Sequence, residues 1–121
     1  TDYALLEEVL PKLQAIAAKQ YVPDTKTVLK TVTEFQSMDE VPGTAALLQL
    51  VQEAAAECNL PQPTAKAVGG GSDSAYATVA GVPTICALGV QGVRNHTAEE
   101  FAVVDTLFSR CKLFATIMLN I

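Results

Sequence analysis

Two stretches of this 121-residue sequence carry residue types that could do chemistry. The first is Gly69-Gly70-Gly71-Ser72-Asp73-Ser74. Glycines at a strand end let the backbone approach a ligand closely and take φ > 0. A helix starting just after them would add free N–H groups and a partial positive charge, which together favour an anion. The stretch is not a phosphate-binding P-loop, because no Lys-[Ser/Thr] follows the glycines. Nor is it a Gly-x-Ser-x-Gly nucleophile elbow, since Asp73-Ser74 follows Ser72. A plain strand-to-helix turn with a serine N-cap also fits these residues.

The second stretch is Gly92-Val93-Arg94-Asn95-His96-Thr97-Ala98-Glu99-Glu100, which holds the single histidine of the chain. A polar loop after a buried strand is where α/β proteins often carry active-site groups. The residue types alone leave three roles open for His96: metal ligand, general base or solvated loop residue. A Ser72–His96–Asp105 triad can be drawn, but no motif supports it. Zinc needs three or four ligands. One histidine, with no carboxylate pair at ligand spacing, does not build a catalytic metal centre alone. Cys58, Cys86 and Cys111 are odd in number and widely spaced, without a Cys-x-x-Cys pair. A disulfide scaffold and a thiolate zinc site are therefore not expected, and buried reduced thiols are.

These stretches need elements to position them. Leu5, Leu6, Val9, Leu10, Leu13, Ile16 and Ala17 recur at helical spacing, which predicts an amphipathic helix over 3–20. Pro11 should kink it or begin a second helix. Tyr21 to Asp24 reads as a turn, and the β-branched run Thr27 to Phe35 as a strand. Pro42-Gly43 closes a connection, and Thr44 caps a helix with Leu47, Leu48, Val51, Ala54, Ala55 and Cys58 on one face. Asn59 and Pro61 stop that helix. Thr64 to Val68 is strand-like, a short helix capped by Ser72 or Ser74 runs to Gly81, and Pro83 to Leu88 reads as a buried strand. Gly89 to Thr97 is a loop and Phe101 to Val104 a short strand. Asp105 caps a last helix presenting Leu107, Phe108, Cys111, Phe114, Ala115 and Met118. The order from Thr44 onward is an α/β pattern. Thr27 to Phe35 has no neighbouring strand in sequence, so its partners are expected outside this chain.

Composition narrows the classes further. Eight basic and thirteen acidic residues give a net charge of −5, which argues against nucleic acid and a polybasic membrane anchor. Hydrophobic residues make up 50% and charged residues 17%, so the chain is too apolar to be disordered. It is also short of charge to cover a free domain, and something else should cover part of its surface. Ser74 to Val93 is uncharged but broken by Gly81, Pro83, Gly89 and Gly92, so it is not expected to span a membrane. No signal peptide is visible, which points to the cytoplasm. The first residue is Thr rather than Met, so a trimmed chain or a piece of a larger one is expected.

Taken together, Gly69 to Ala77, Gly81-Val82-Pro83-Thr84, Leu88-Gly89, His96 to Phe101 and Val104-Asp105 resemble the C-terminal end of the two-zinc peptidase family. That family includes glutamate carboxypeptidase, acetylornithine deacetylase, succinyl-diaminopimelate desuccinylase and the aminoacylases. The resemblance covers Thr64 to Ile121, and more loosely the helix from Thr44. It implies an α/β catalytic domain with helices packed on a mixed sheet, preceded by the last helix and strand of an inserted lid or dimerisation domain. Residues 1–38 would end the lid, and residues 39–121 would be the returning part of the catalytic domain.

The same resemblance implies His96 as a metal ligand and Gly70, Gly71 and Ser72 as substrate-binding residues. It implies two zinc ions, with cobalt or manganese as alternatives, and a peptide or N-acyl amino acid as substrate. It further implies the rest of the parent chain and a second copy, joined through the lid, as partners. The other catalytic and metal-binding residues would lie upstream, so these 121 residues alone are expected to be inactive. One departure bears on substrate: many members carry an arginine near the end of the lid strand, whereas Thr33-Glu34-Phe35-Gln36-Ser37 is acidic at Glu34. Two other readings remain: a non-catalytic, self-associating module on the same scaffold, and an anion-binding module using only the Gly69–Ser74 turn.

Overall fold

The computed structural model describes residues 3–121, with side chains from residue 7 onward. The described residues form four helices and one two-stranded sheet. The helices are α1 (Tyr3–Ala17), α2 (Thr44–Glu57), α3 (Ser74–Val79) and α4 (Val104–Leu119). Strands β1 (Gly92–Val93) and β2 (Phe101–Ala102) pair antiparallel between α3 and α4. This is a small mixed α/β arrangement.

The core lies between α2 and α4. Alanines at 54 and 55 let the second helix approach closely, so Val51, Ala54 and Ala55 pack with Leu113 and Ile117. Leu113 is 0% exposed, and burying such a side chain contributes about 1.5–3 kcal/mol. Leu50, Leu60, Ile85 and Leu88 close around this cluster. Cys58 and Thr116 meet at 3.3 Å between their side chains and tie the end of α2 to α4.

Local chemistry sets the limits of α2. Gly43 precedes it at φ 98, with the Pro83 ring where a side chain would stand. A β-carbon at Gly43 would lie 2.8 Å from Pro83 Cγ, so glycine is required twice over. Thr44 is the first helical residue rather than the cap, and its hydroxyl accepts from the Val41 N–H behind it at 3.1 Å. At the other end Asn59 takes φ 57. The Leu60 N–H reaches Ala55 O at 2.8 Å and the Asn59 N–H reaches Ala56 O at 3.0 Å. This is the paired closure of a Schellman motif, with Leu60 as its apolar contact. α3 ends the same way: the Val82 N–H bonds to Ala77 O at 2.9 Å and the Gly81 N–H to Thr78 O at 2.9 Å.

Several expectations are corrected. α1 is one helix with Pro11 inside it, not two. Val9, Leu10, Leu13 and Ile16 are exposed, and α1 contacts no other element among the described residues; the Leu5 and Leu6 side chains lie outside them. No strand forms over 27–35, 64–68 or 83–88. A strand needs a ladder partner, and none is in place for these segments. Pro83 to Leu88 is also not buried, although Ile85 and Leu88 touch the core. The mixed sheet implied by the resemblance is thus not formed by these residues; their sheet is the β1–β2 pair alone.

The face of α4 differs as well. Leu113 and Ile117 point inward, while Leu107, Phe108, Cys111, Phe114, Ala115 and Met118 are exposed. The helix is apolar on both sides, and α2 covers only one. Val103, not Asp105, is the N-cap. Of the three free cysteines Cys58 is buried, whereas Cys86 and Cys111 are exposed. The total accessible surface is 9458 Å², against roughly 6,300 Å² for a compact monomer of this mass. The apolar surplus in the composition is therefore real surface, on α1, on the extended segment with Val28, Leu29 and Val32, and on the outer side of α4.

Candidate functional site

His96 occupies the tip of a hairpin. Val93 pairs with Phe101 and Gly92 with Ala102. Two-residue strands are marginal alone, so their base is held from outside. The Val103 N–H donates to Gln91 O at 2.8 Å, and the Gln91 N–H donates to the Thr106 hydroxyl at 3.0 Å. Thr106 belongs to the first turn of α4, so the hairpin is clamped to the start of that helix.

The tip is organised by its own polar residues. Thr97 donates to Arg94 O from both its N–H, at 3.2 Å, and its hydroxyl, at 2.7 Å. The Glu100 N–H returns to Thr97 O at 3.2 Å. The His96 N–H is taken by Glu100 Oε2 at 3.1 Å. Arg94 and Glu99 form an exposed ion pair across the turn, an arrangement that contributes little stability by itself. These bonds hold His96 at φ 66, a left-handed conformation that histidine tolerates better than most residues. Its side chain is exposed.

The glycine-rich stretch forms a second centre. None of Gly69, Gly70 and Gly71 takes positive φ; the glycines that do are Gly43 and Gly81. The reason for glycine at 71 is instead close approach. A β-carbon there would lie 3.2 Å from Phe35 Cγ and 3.3 Å from its Cδ1. The phenyl ring thus rests against bare backbone. Nothing crowds Gly70.

The start of α3 is not an open set of donors. The Ser74 N–H is bonded to Ser72 Oγ at 3.2 Å, the Ala75 N–H to Ser72 O at 3.0 Å, and the Tyr76 N–H to Asp73 O at 3.1 Å. Asp73 is the N-cap, without a side-chain capping bond. Among the described residues, no hydrogen bond uses the N–H of Gly70, Gly71 or Ser72. Any anion at this place would therefore be met by the glycine backbone before the helix terminus.

Ser72 has a partner that its sequence neighbours do not reveal. Its hydroxyl lies 3.2 Å from Cys86 Sγ, fourteen positions along the chain. The Ser72 hydroxyl, then that of Ser74, holds the exposed Cys86 thiol below its ordinary value, against a small opposing effect of burial. Hydroxyl donors favour the thiolate over the thiol. No local motif points to this pair. Further along α3, Gln36, Ser37 and Asp39 face Tyr76, Thr78 and Val79 across an open cleft of about 420 Å³.

The two centres are separately built. No hydrogen bond among the described residues joins the His96 hairpin to Gly70, Gly71 or Ser72. The Ser72–His96–Asp105 triad is not formed: Ser72 bonds to Cys86, and Asp105 lies exposed in the first turn of α4. Among the described residues, no group of three or more His, Cys, Asp or Glu side chains could hold a metal ion. His96 is a lone donor here, and these residues do not by themselves fit a two-metal centre.

The model of peptidase family M20/M25/M40 matches residues 13–120, which include both centres. No curated protein and no solved structure matches the chain.

Proposed function

Because the chain belongs to peptidase family M20/M25/M40, we propose that it is the C-terminal part of a metal-dependent hydrolase of amide bonds. The substrate is a peptide cut from its end or an N-acyl amino acid. In this reading His96 supplies one metal ligand, and Gly70, Gly71 and Ser72 present backbone N–H groups to the substrate carboxylate. The metal is zinc, as two ions, with cobalt or manganese as replacements. The remaining ligands and the proton-transferring carboxylate come from elsewhere in the complete enzyme. Residues 1–38 end a lid through which two copies pair.

The observation that carries this reading is the family match across 13–120, which spans His96 and the glycine stretch together. The local geometry supports it. An exposed imidazole on a clamped hairpin is available to a ligand, and backbone donors left unused by the fold are available to an anion. The test is hydrolysis of N-acetyl amino acids and dipeptides by the full-length chain with added zinc. Activity that chelation removes and zinc restores supports the reading, together with no turnover by these 121 residues alone. Turnover by the 121 residues alone would sink the division of labour.

A second reading, a non-catalytic self-associating module, draws on the exposed outer side of α4, where Phe108 is 72% and Met118 is 73% exposed. Contiguous apolar surface of this kind marks an interaction face. A stable oligomer of the full-length chain, metal-free and without hydrolytic activity, would favour it.

A further inference from the structure

We propose that Phe35 sets the substrate preference of this hydrolase, favouring an apolar side chain over an acidic one. The inference rests on the reading of Gly70, Gly71 and Ser72 as the backbone that meets the substrate. Its own basis is the contact between Phe35 and Gly71. The ring lies within 3.2–3.3 Å of the place a β-carbon at 71 would take, so the aromatic surface adjoins the backbone of the glycine stretch. Phe35 is 55% exposed, so much of its surface remains free for a ligand. A substrate carboxylate held by those N–H groups would bring the adjoining side chain within reach of the phenyl ring.

The surrounding charge argues the same way. Neither the stretch 31–39 nor the stretch 69–82 contains a lysine, arginine or histidine, while Glu34, Asp39 and Asp73 are acidic. An acidic substrate side chain would meet the like charge of these acids and lose hydration against the ring, with no cation supplied by either stretch. An aliphatic or aromatic one would bury apolar surface on Phe35. Apolar pockets discriminate by roughly 10- to 200-fold per methylene-sized contact, so a preference of about tenfold is the scale expected from one ring.

The experiment uses the full-length, metal-loaded chain with N-acetyl-leucine and N-acetyl-glutamate as paired substrates. The expected result is a kcat/KM ratio favouring leucine by about tenfold or more. Phe35→Ala should collapse that ratio through KM, with kcat largely kept, and Phe35→Leu should retain most of it. Competitive binding of free leucine against free glutamate gives the same ordering without turnover. A ratio unchanged in Phe35→Ala, while the unsubstituted enzyme remains active, overturns the role of Phe35 and leaves the hydrolase reading intact. No hydrolysis by the unsubstituted chain of either substrate, or of dipeptides ending in leucine or glutamate, overturns the hydrolase reading, and this inference with it.

Discussion

The backbone N–H of His96 donates to the Glu100 carboxylate at 3.1 Å, so the residue proposed to bind metal is held by an acid four positions further along the same loop. The bond closes the hairpin tip over Thr97 and fixes the left-handed turn at 96. Glu100→Ala removes the acceptor that this N–H has among the described residues. Hydrogen exchange of the His96 and Thr97 amides should accelerate several-fold, while those of Val51 and Leu113 in the helical core stay protected. Equal protection at the tip in both proteins would show that Glu100 does not hold the loop.

Leu113 and Val51 are the largest side chains fully buried in the core. Leu113→Ala should cost about 2–5 kcal/mol, the range for a truncated leucine that leaves a cavity. Leu119→Ala, on the exposed end of α4, should change stability by less than about 0.5 kcal/mol. Urea denaturation of the two variants checks the contrast. Equal losses would mean that the α2–α4 core is not where the stability resides.

The cysteines offer a pH test. The Ser72 and Ser74 hydroxyls lower the Cys86 pKa, so more of this thiol is thiolate at a given pH than at an unperturbed exposed cysteine. Alkylation of Cys86 should therefore persist to lower pH than alkylation of free N-acetylcysteine, and buried Cys58 should react slowest. In Ser72→Ala the Cys86 profile should move to higher pH. Mass-spectrometric labelling across pH 6–9 reads this, and a Cys86 profile that Ser72→Ala leaves unmoved would show that the Ser72 hydroxyl does not act on the thiol.

The outer face of α4 carries Leu107, Phe108, Phe114 and Met118 in the open. The 121 residues alone should self-associate, as exposed apolar surface of this extent does. The paired change Phe108→Lys and Met118→Lys should reduce the association measurably in light scattering. A chain that stays monomeric without these changes would contradict the exposure of that face.

How much of this was legible depends on the range of each interaction. The α2 face was readable because Val51, Ala54, Ala55 and Cys58 repeat at helical spacing, and Asn59 ends the helix by a local backbone conformation. α4 was readable as a helix but not in its orientation. Leu113 and Ile117 compete with Leu107, Phe108, Phe114 and Met118 for the inside, and only the partner helix decides between them. The β-branched run from Thr27 to Phe35 suggested a strand, yet pairing is a property of two segments and no second one is in place. At the site, His96 and the glycine stretch stood out by residue type. The Ser72–Cys86 and Phe35–Gly71 contacts did not, because each joins positions far apart in sequence with no pattern between them.

The proposed contribution of this chain to the metal site of a family M20/M25/M40 hydrolase rests on His96. The most direct measurement is metal content by atomic emission in the full-length protein and in its His96→Ala variant, with circular dichroism confirming that both fold. The variant should hold less zinc and turn over at least about 100-fold more slowly, since loss of even an outer-shell partner costs about 10- to 100-fold. Zinc stoichiometry and turnover that are unchanged in His96→Ala would contradict it.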